Sequence, residues 1–166
     1  MPSKSELLVL VGPMGVGKTT VGRKLAKALK VPFIDTDALI VDQHGEIAAY
    51  FEAHGEPAFR AVEHEALAKA LAAPAVVATG GGAVLLEKNQ QLLKGATVIY
   101  LSTDGKHIGS RLKNGNRPLI KSGVDDWKRI YNERKPIYEK VADLEIDTVG
   151  QSLNTTISEI REKLGI

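Results

Sequence analysis

Cysteine is absent from the 166-residue chain, which excludes disulfide bonds, thiolate catalysis and thiolate-ligated metals and lends no support to an oxidising compartment. Long apolar runs are missing as well. The longest, Leu7 to Val11, falls far short of the roughly 20 residues needed to span a bilayer, so no membrane association is expected. The stretch from Met1 to Glu6 is polar, with neither a hydrophobic signal region nor a small-residue cleavage site, and cytoplasmic residence follows as the expectation. Neither sign of charge dominates: 22 Lys plus Arg against 20 Asp plus Glu leave a net +2, too little to argue for a nucleic-acid partner. Internal repeats and low-complexity tracts are lacking. At 43% hydrophobic and 25% charged residues, disorder and fibrous repeats are excluded. The length allows one domain, residues 1–166, around one core. Without heptads or an apolar stripe beyond that core, a monomer is expected.

What the chain does contain is an alternation. Short β-like runs recur at Leu7 to Val11, Phe33 to Asp35, Ala75 to Ala78, Thr97 to Leu101 and Leu144 to Ile146, with helical patterns between them. Such alternation predicts an α/β fold, a five-stranded parallel sheet flanked by helices in three layers. Phe59, Val62, Ala66, Leu67, Ala70 and Leu71 gather into one apolar helical stripe, and Leu153, Ile157, Ile160 and Leu164 form another, with Ser152 as N-cap. The stretch from Lys113 to Asp126 breaks the regularity with Asn114, Gly115, Asn116, Pro118 and Gly123, and carries Lys113, Arg117 and Lys121. It reads as a mobile loop rather than a linker, since too little chain follows it to form another domain.

Directly after the first strand stands Gly12-Pro-Met-Gly-Val-Gly-Lys18-Thr19, which satisfies the G-x-x-x-x-G-K-[ST] phosphate-loop pattern in its strand-to-helix setting. Glycines let the backbone curl so that successive N–H groups face phosphate oxygens, and the following helix N-terminus adds partial positive charge. The expected nucleotide set is Gly12, Gly15, Val16, Gly17, Lys18, Thr19 and Thr20, with Lys18 bridging the β- and γ-phosphates of ATP and the Thr19 hydroxyl on Mg²⁺. The loop alone leaves a kinase, a GTPase switch and an ATP-driven motor open. No Asn-Lys-x-Asp guanine reader is present, which disfavours the switch.

Strand two ends in Asp35-Thr36-Asp37, two carboxylates at the edge where open α/β sheets bind ligands. Alternation along a strand would put Asp35 and Asp37 on one face, one holding a metal's water shell and the other taking the proton of an attacking hydroxyl. Strand three runs into Thr79-Gly80-Gly81-Gly82, where three glycines forgo side-chain packing at an entropic cost, as a close approach of backbone and ligand would require. The four histidines, His44, His54, His64 and His107, show no metal-like spacing, and Trp127, Tyr131 and Tyr138 read as packing residues.

Taken in order, the phosphate loop, Asp35-Thr-Asp37, Phe59-Arg60, Gly80-Gly81-Gly82, Arg117-Pro118-Leu119 and Asn132-Glu-Arg134-Lys-Pro-Ile-Tyr138 resemble the shikimate kinases over nearly the whole chain. The resemblance implies a nucleoside-monophosphate-kinase-like fold and transfer of the γ-phosphoryl of ATP to the 3-hydroxyl of shikimate, on the route to chorismate and the aromatic amino acids. It implies that Arg60 and Arg134 grip the carboxylate of shikimate, that Asp37 binds ring hydroxyls and serves as base, and that Gly81 and Gly82 lie against the ring. It further implies that Asp35 acts on Mg²⁺ through water, that Glu63 orients Arg60, that Arg117 descends with the lid onto the transferring phosphate, and that Arg111 and Gln151 contact adenine. Gluconate, a nucleoside monophosphate, or a regulatory role without transfer are the competing readings; the constellation of Arg60, Gly81, Gly82 and Arg134 disfavours the first two.

Overall fold

The computed structural model describes residues 2–108 and 123–166. Five strands, β1 (Leu7–Val11), β2 (Phe33–Asp35), β3 (Ala75–Ala78), β4 (Thr97–Ser102) and β5 (Leu144–Asp147), form one parallel sheet in the order β2-β3-β1-β4-β5. All five lie where the sequence places them, β4 and β5 each running one residue further. The described helices are α1 (Lys18–Leu29), α2 (Thr36–His44), α3 (Ile47–His54), α4 (Glu56–Ala70), α5 (Glu87–Leu93), α6 (Val124–Val141) and α7 (Leu153–Leu164).

Every residue of β1 is buried, as expected of a central parallel strand covered on both faces. Alternation then sorts the core into two layers. Leu7, Val9 and Val11 join Val77, Val98 and Tyr100 against Leu67 of α4, Leu93 of α5 and Trp127, Tyr131 and Tyr138 of α6. Leu8 and Leu10 join Val76, Ile99 and Leu101 against Val21 and Leu25 of α1 and Ile157 and Ile160 of α7. At Gly22, α1 comes so close to β2 that a Cβ would lie 2.5 Å from the Phe33 ring. Ser152 caps α7 as expected, its Oγ accepting from the Thr155 N–H at 3.1 Å.

Helices α2 and α3 lack a readable period. Ala38 to Val41 is a continuous apolar run, and the two helices bury only a small satellite cluster with α4, around Ile40, Phe59, Val62 and Ala66. Of the expected lid, 113–126, the described part is Gly123 to Asp126, and its last three residues already belong to α6; the remainder lies outside the described residues. Strand order reverses at β1, whose neighbours are β3 on one side and β4 on the other. The crevice at the carboxyl end of such a switch point is where open α/β sheets bind ligands.

Candidate active site

The loop leaving β1 turns through Gly12, Gly15 and Gly17 at φ of +149°, +79° and +108°, conformations that L side chains rarely adopt. A Cβ on Gly12 would also lie 2.6 Å from the Leu101 carbonyl oxygen. Lys18 opens α1 and is buried; its Nζ donates to the carbonyls of Gly12 at 2.7 Å and Pro13 at 2.9 Å, which lays the ammonium along the inside of the loop. Gly15 to Thr20, Asp35, Asp37, Gly81 and Gln151 line one cavity of about 880 Å³ with this loop.

Asp35 and Asp37 converge by a different route from the one expected. The strand stops at Asp35, which is the N-cap of α2: its Oδ1 accepts from the Asp37 N–H at 2.9 Å and the Ala38 N–H at 3.4 Å. Asp37 is therefore in the first turn of a helix, not two residues along a strand. The second oxygen of Asp35 accepts from the Thr19 hydroxyl at 2.9 Å. A hydroxyl and a carboxylate oxygen side by side form the hard-oxygen donor set that suits Mg²⁺, which takes few protein ligands and keeps much of its water. Among the described residues no cluster of three or more His, Cys, Asp or Glu could hold a metal.

The three glycines after β3 gather the acceptor side. None has a positive φ, so side-chain bulk rather than backbone freedom is what excludes other residues. A Cβ on Gly80 would lie 2.9 Å from Asp37 Oδ1 and 3.0 Å from Glu63 Oε2; one on Gly81 would meet Met14 Cγ at 3.3 Å and Arg134 Nη1 at 3.6 Å; one on Gly82 would lie 2.5 Å from both terminal nitrogens of Arg60. Asp37, Glu63, Arg134 and Arg60 thus crowd one short segment at the edge of the phosphate-loop cavity. Arg60 Nη1 donates to Glu63 at 2.8 Å and Nη2 to Glu56 at 3.2 Å. Its Nε is buried without a hydrogen-bond partner among the described residues.

Burial raises the Glu63 carboxyl above the ordinary range, outweighing the pull of Arg60, while Asp37 nearby adds to the rise and Arg134 opposes it. Arg134 is itself buried, and also lines a second cavity of about 280 Å³ with Glu56 and Glu133. Tyr138, one turn beyond Arg134, donates its hydroxyl to the Gly81 carbonyl at 2.5 Å. Burial pushes that hydroxyl up to about 12, with Arg134 opposing, so it stays a neutral donor. Tyr138 and Glu56 carry more of the site than the sequence reveals; their spacing of four from Arg134 and from Arg60 is the trace that could have found them.

Gln151 lines the cavity, but its amide is committed inside the protein: Nε2 donates to Glu159 at 2.7 Å and Oε1 accepts from Thr156 at 3.1 Å. Of the histidines, His64 bonds Asn89 at 2.7 Å and the other three are exposed. Arg111 and Arg117 lie outside the described residues.

A phosphate loop at the switch point of a parallel sheet, with two arginines and two carboxylates gathered on the glycine segment beside it, defines a P-loop kinase for a small acceptor. The family model described as shikimate kinase matches residues 14–165. A shikimate kinase of Rhodococcus jostii is 42% identical over 164 residues, covering 94% of this chain and 96% of that protein. The structure of a shikimate kinase from Acinetobacter baumannii in complex with shikimate superposes with a TM-score of 0.91 at 35% identity, covering 98% of this chain and 95% of that one. A gluconokinase from Sinorhizobium meliloti, at TM-score 0.64 and 19% identity over 99% and 94% of the two chains, shares the fold. The chain belongs to the shikimate kinase family. No described helix is long and apolar enough to cross a membrane.

Proposed function

We propose that this chain transfers the γ-phosphoryl group of ATP to the 3-hydroxyl of shikimate, giving shikimate 3-phosphate and ADP. The observation that carries the reading is the meeting of Asp37, Glu63, Arg60 and Arg134 around Gly80 to Gly82, at the edge of the cavity that the phosphate loop lines. Shikimate is a small acid with three hydroxyls, and two guanidiniums with two carboxylates gathered on one short glycine segment match that inventory.

Arg60 and Arg134 hold the substrate carboxylate, for which planar guanidiniums offer paired donors. Glu63 fixes the Arg60 head, and the unpartnered Nε is a donor that a bound anion can satisfy. Asp37 orients the attacking hydroxyl and accepts its proton as the oxygen closes on phosphorus. Lys18 and the N–H groups of Gly15 to Thr20 hold the phosphates of ATP. Thr19 and Asp35 would hold Mg²⁺, which when bound neutralises charge on the phosphate oxygens.

The test is a coupled ADP-release assay offering shikimate, gluconate and AMP in turn. Turnover with shikimate alone is the expected result; turnover only with gluconate or AMP overturns the reading.

A further inference from the structure

Helix α6 turns one face toward the catalytic end of the sheet. Trp127, Tyr131, Arg134 and Tyr138 follow at spacings of four, three and four, a single helical stripe. Arg134 and Tyr138 belong to the acceptor pocket, and Tyr131 shares a hydrogen bond of 2.5 Å with the Tyr100 hydroxyl of β4. Trp127 reaches the phosphate loop. Its indole is 2% exposed, and Nε1 donates to the Met14 carbonyl at 2.8 Å. Gly105 makes room for it, since a Cβ there would lie 2.5 Å from the indole ring.

Bulk alone does not explain the tryptophan, because a leucine or phenylalanine also fills apolar space; what the indole adds is one buried N–H. That N–H completes a pattern. Lys18 bonds the carbonyls of Gly12 and Pro13, and Trp127 bonds the next one, Met14. Three successive carbonyls of the loop are thereby held within the protein. In a trans peptide the C=O and the following N–H point in opposite directions. Fixing the Met14 carbonyl therefore fixes the direction of the Gly15 N–H, on a residue that lines the phosphate cavity. Gly15 has a φ of +79°, a backbone conformation that a residue without a side chain adopts most readily. Met14 is also the point at which the loop meets the acceptor side, its backbone nitrogen standing 3.5 Å from where a Gly81 Cβ would be.

We propose that Trp127 is a positioning residue for phosphoryl transfer: by holding the Met14 carbonyl it aims the Gly15 N–H at the nucleotide phosphates and sets the loop in register with the helix that carries Arg134. The inference rests on the phosphotransferase reading, so its test includes measurements that need no acceptor. The chain has one tryptophan, so ¹⁵N labelling gives one indole N–H resonance. In the wild-type protein that proton is protected from solvent exchange and its resonance moves on titration with ADP. Trp127→Phe keeps an aromatic ring and removes the donor; it weakens ADP binding by calorimetry, and lowers kcat/KM for ATP, by about tenfold, the usual loss when a hydrogen bond to a charged group is misaligned. The KM for shikimate stays within about twofold. Tyr131→Phe removes a buried hydroxyl from the same helix face, one that bonds Tyr100 and, at 3.4 Å, the Thr103 N–H but no carbonyl of the phosphate loop, and leaves ADP affinity and kcat/KM for ATP largely unchanged. An indole proton exchanging at the free solvent rate overturns the proposal, even if Trp127→Phe fails to fold. So does a Trp127→Phe protein with wild-type ADP affinity, or a Tyr131→Phe protein that loses as much, which would mean general loosening of α6. Absence of shikimate turnover in the wild type, with indole protection and ADP binding intact, sinks the acceptor assignment instead.

Discussion

Replacing Gly82 by alanine isolates the carboxylate grip from the fold. The backbone at Gly82 lies at φ −100° and ψ 3°, which alanine can adopt, and a compatible Gly→Ala change restricts the unfolded chain enough to add about 0.4–1 kcal/mol of stability. The new methyl carbon would stand 2.5 Å from both terminal nitrogens of Arg60, where ordinary contact needs about 3.5 Å. The guanidinium must retreat by about 1 Å. It cannot do so freely, because Glu63 holds it at 2.8 Å from a side chain only 2% exposed. Retreat therefore lengthens that pair and takes the donors away from the substrate acid. Losing a charge-assisted grip on a carboxylate costs about 2–3 kcal/mol, or roughly 30- to 150-fold in affinity. Initial rates with both substrates varied should show the KM for shikimate raised by that factor and the KM for ATP within about twofold. Because the entropic gain offsets part of the weakened ion pair, Tm should move by only a few degrees. An unchanged KM for shikimate refutes the argument that Gly82 is kept clear for Arg60.

Other substitutions read other parts of the site. Asp37→Asn should lower kcat by about 10²- to 10⁴-fold, the range of a positioned general base, while ADP affinity by calorimetry stays within about twofold; full activity would remove Asp37 as the base. Tyr138→Phe leaves the Gly81 carbonyl without its donor, which should cost about 1–2 kcal/mol and lower the calorimetric Tm by roughly 2–8 °C for a chain of this size, with a raised KM for shikimate; a Tm within 1 °C of wild type would refute the role given to that hydroxyl. The Glu63 proton is held more tightly in the native protein than in the unfolded chain. Its contribution to stability is therefore fully present below the unfolded value near 4.5 and lost as pH rises through the higher native value. Between pH 4 and 8 the Tm advantage of wild type over Glu63→Gln should shrink as pH rises; an advantage that grows contradicts the sign.

The strands were legible because a parallel sheet buried on both faces writes itself as apolar runs, and Leu7–Val11 and Ala75–Ala78 are nothing else. The helices α2 and α3 were not, since they bury only the satellite cluster with α4 and so have little need of a period. Asp35 shows why residue type underdetermines a role. A carboxylate at a strand end serves a metal shell or a helix cap equally well in sequence, and here one oxygen caps α2 while the other takes the Thr19 hydroxyl. In sequence the glycine run points to a close approach of backbone and ligand, whereas the space is contested by Asp37, Glu63 and Arg60 of the protein itself. Tyr138 and Trp127 sit at core spacing, and core spacing conceals a polar tip: only the fold brings the hydroxyl to Gly81 and the indole N–H to Met14.

Burying Arg60, Glu63 and Arg134 together is costly, since desolvating charges outweighs their attraction unless every donor and acceptor is met. Among the described residues that condition is left incomplete on one group, the Arg60 Nε. Burial also keeps the Glu63 carboxyl above its ordinary range despite Arg60 beside it, the mark of a pair taken out of water. A pair tuned for stability alone would have satisfied the whole guanidinium. Glu63 and Glu56 orient the arginine, and the donor they leave unmet keeps it attractive to an incoming acid. The incoming carboxylate then meets a cation already desolvated and already aimed, which is how a pocket this small can bind a small acid without a large apolar surface.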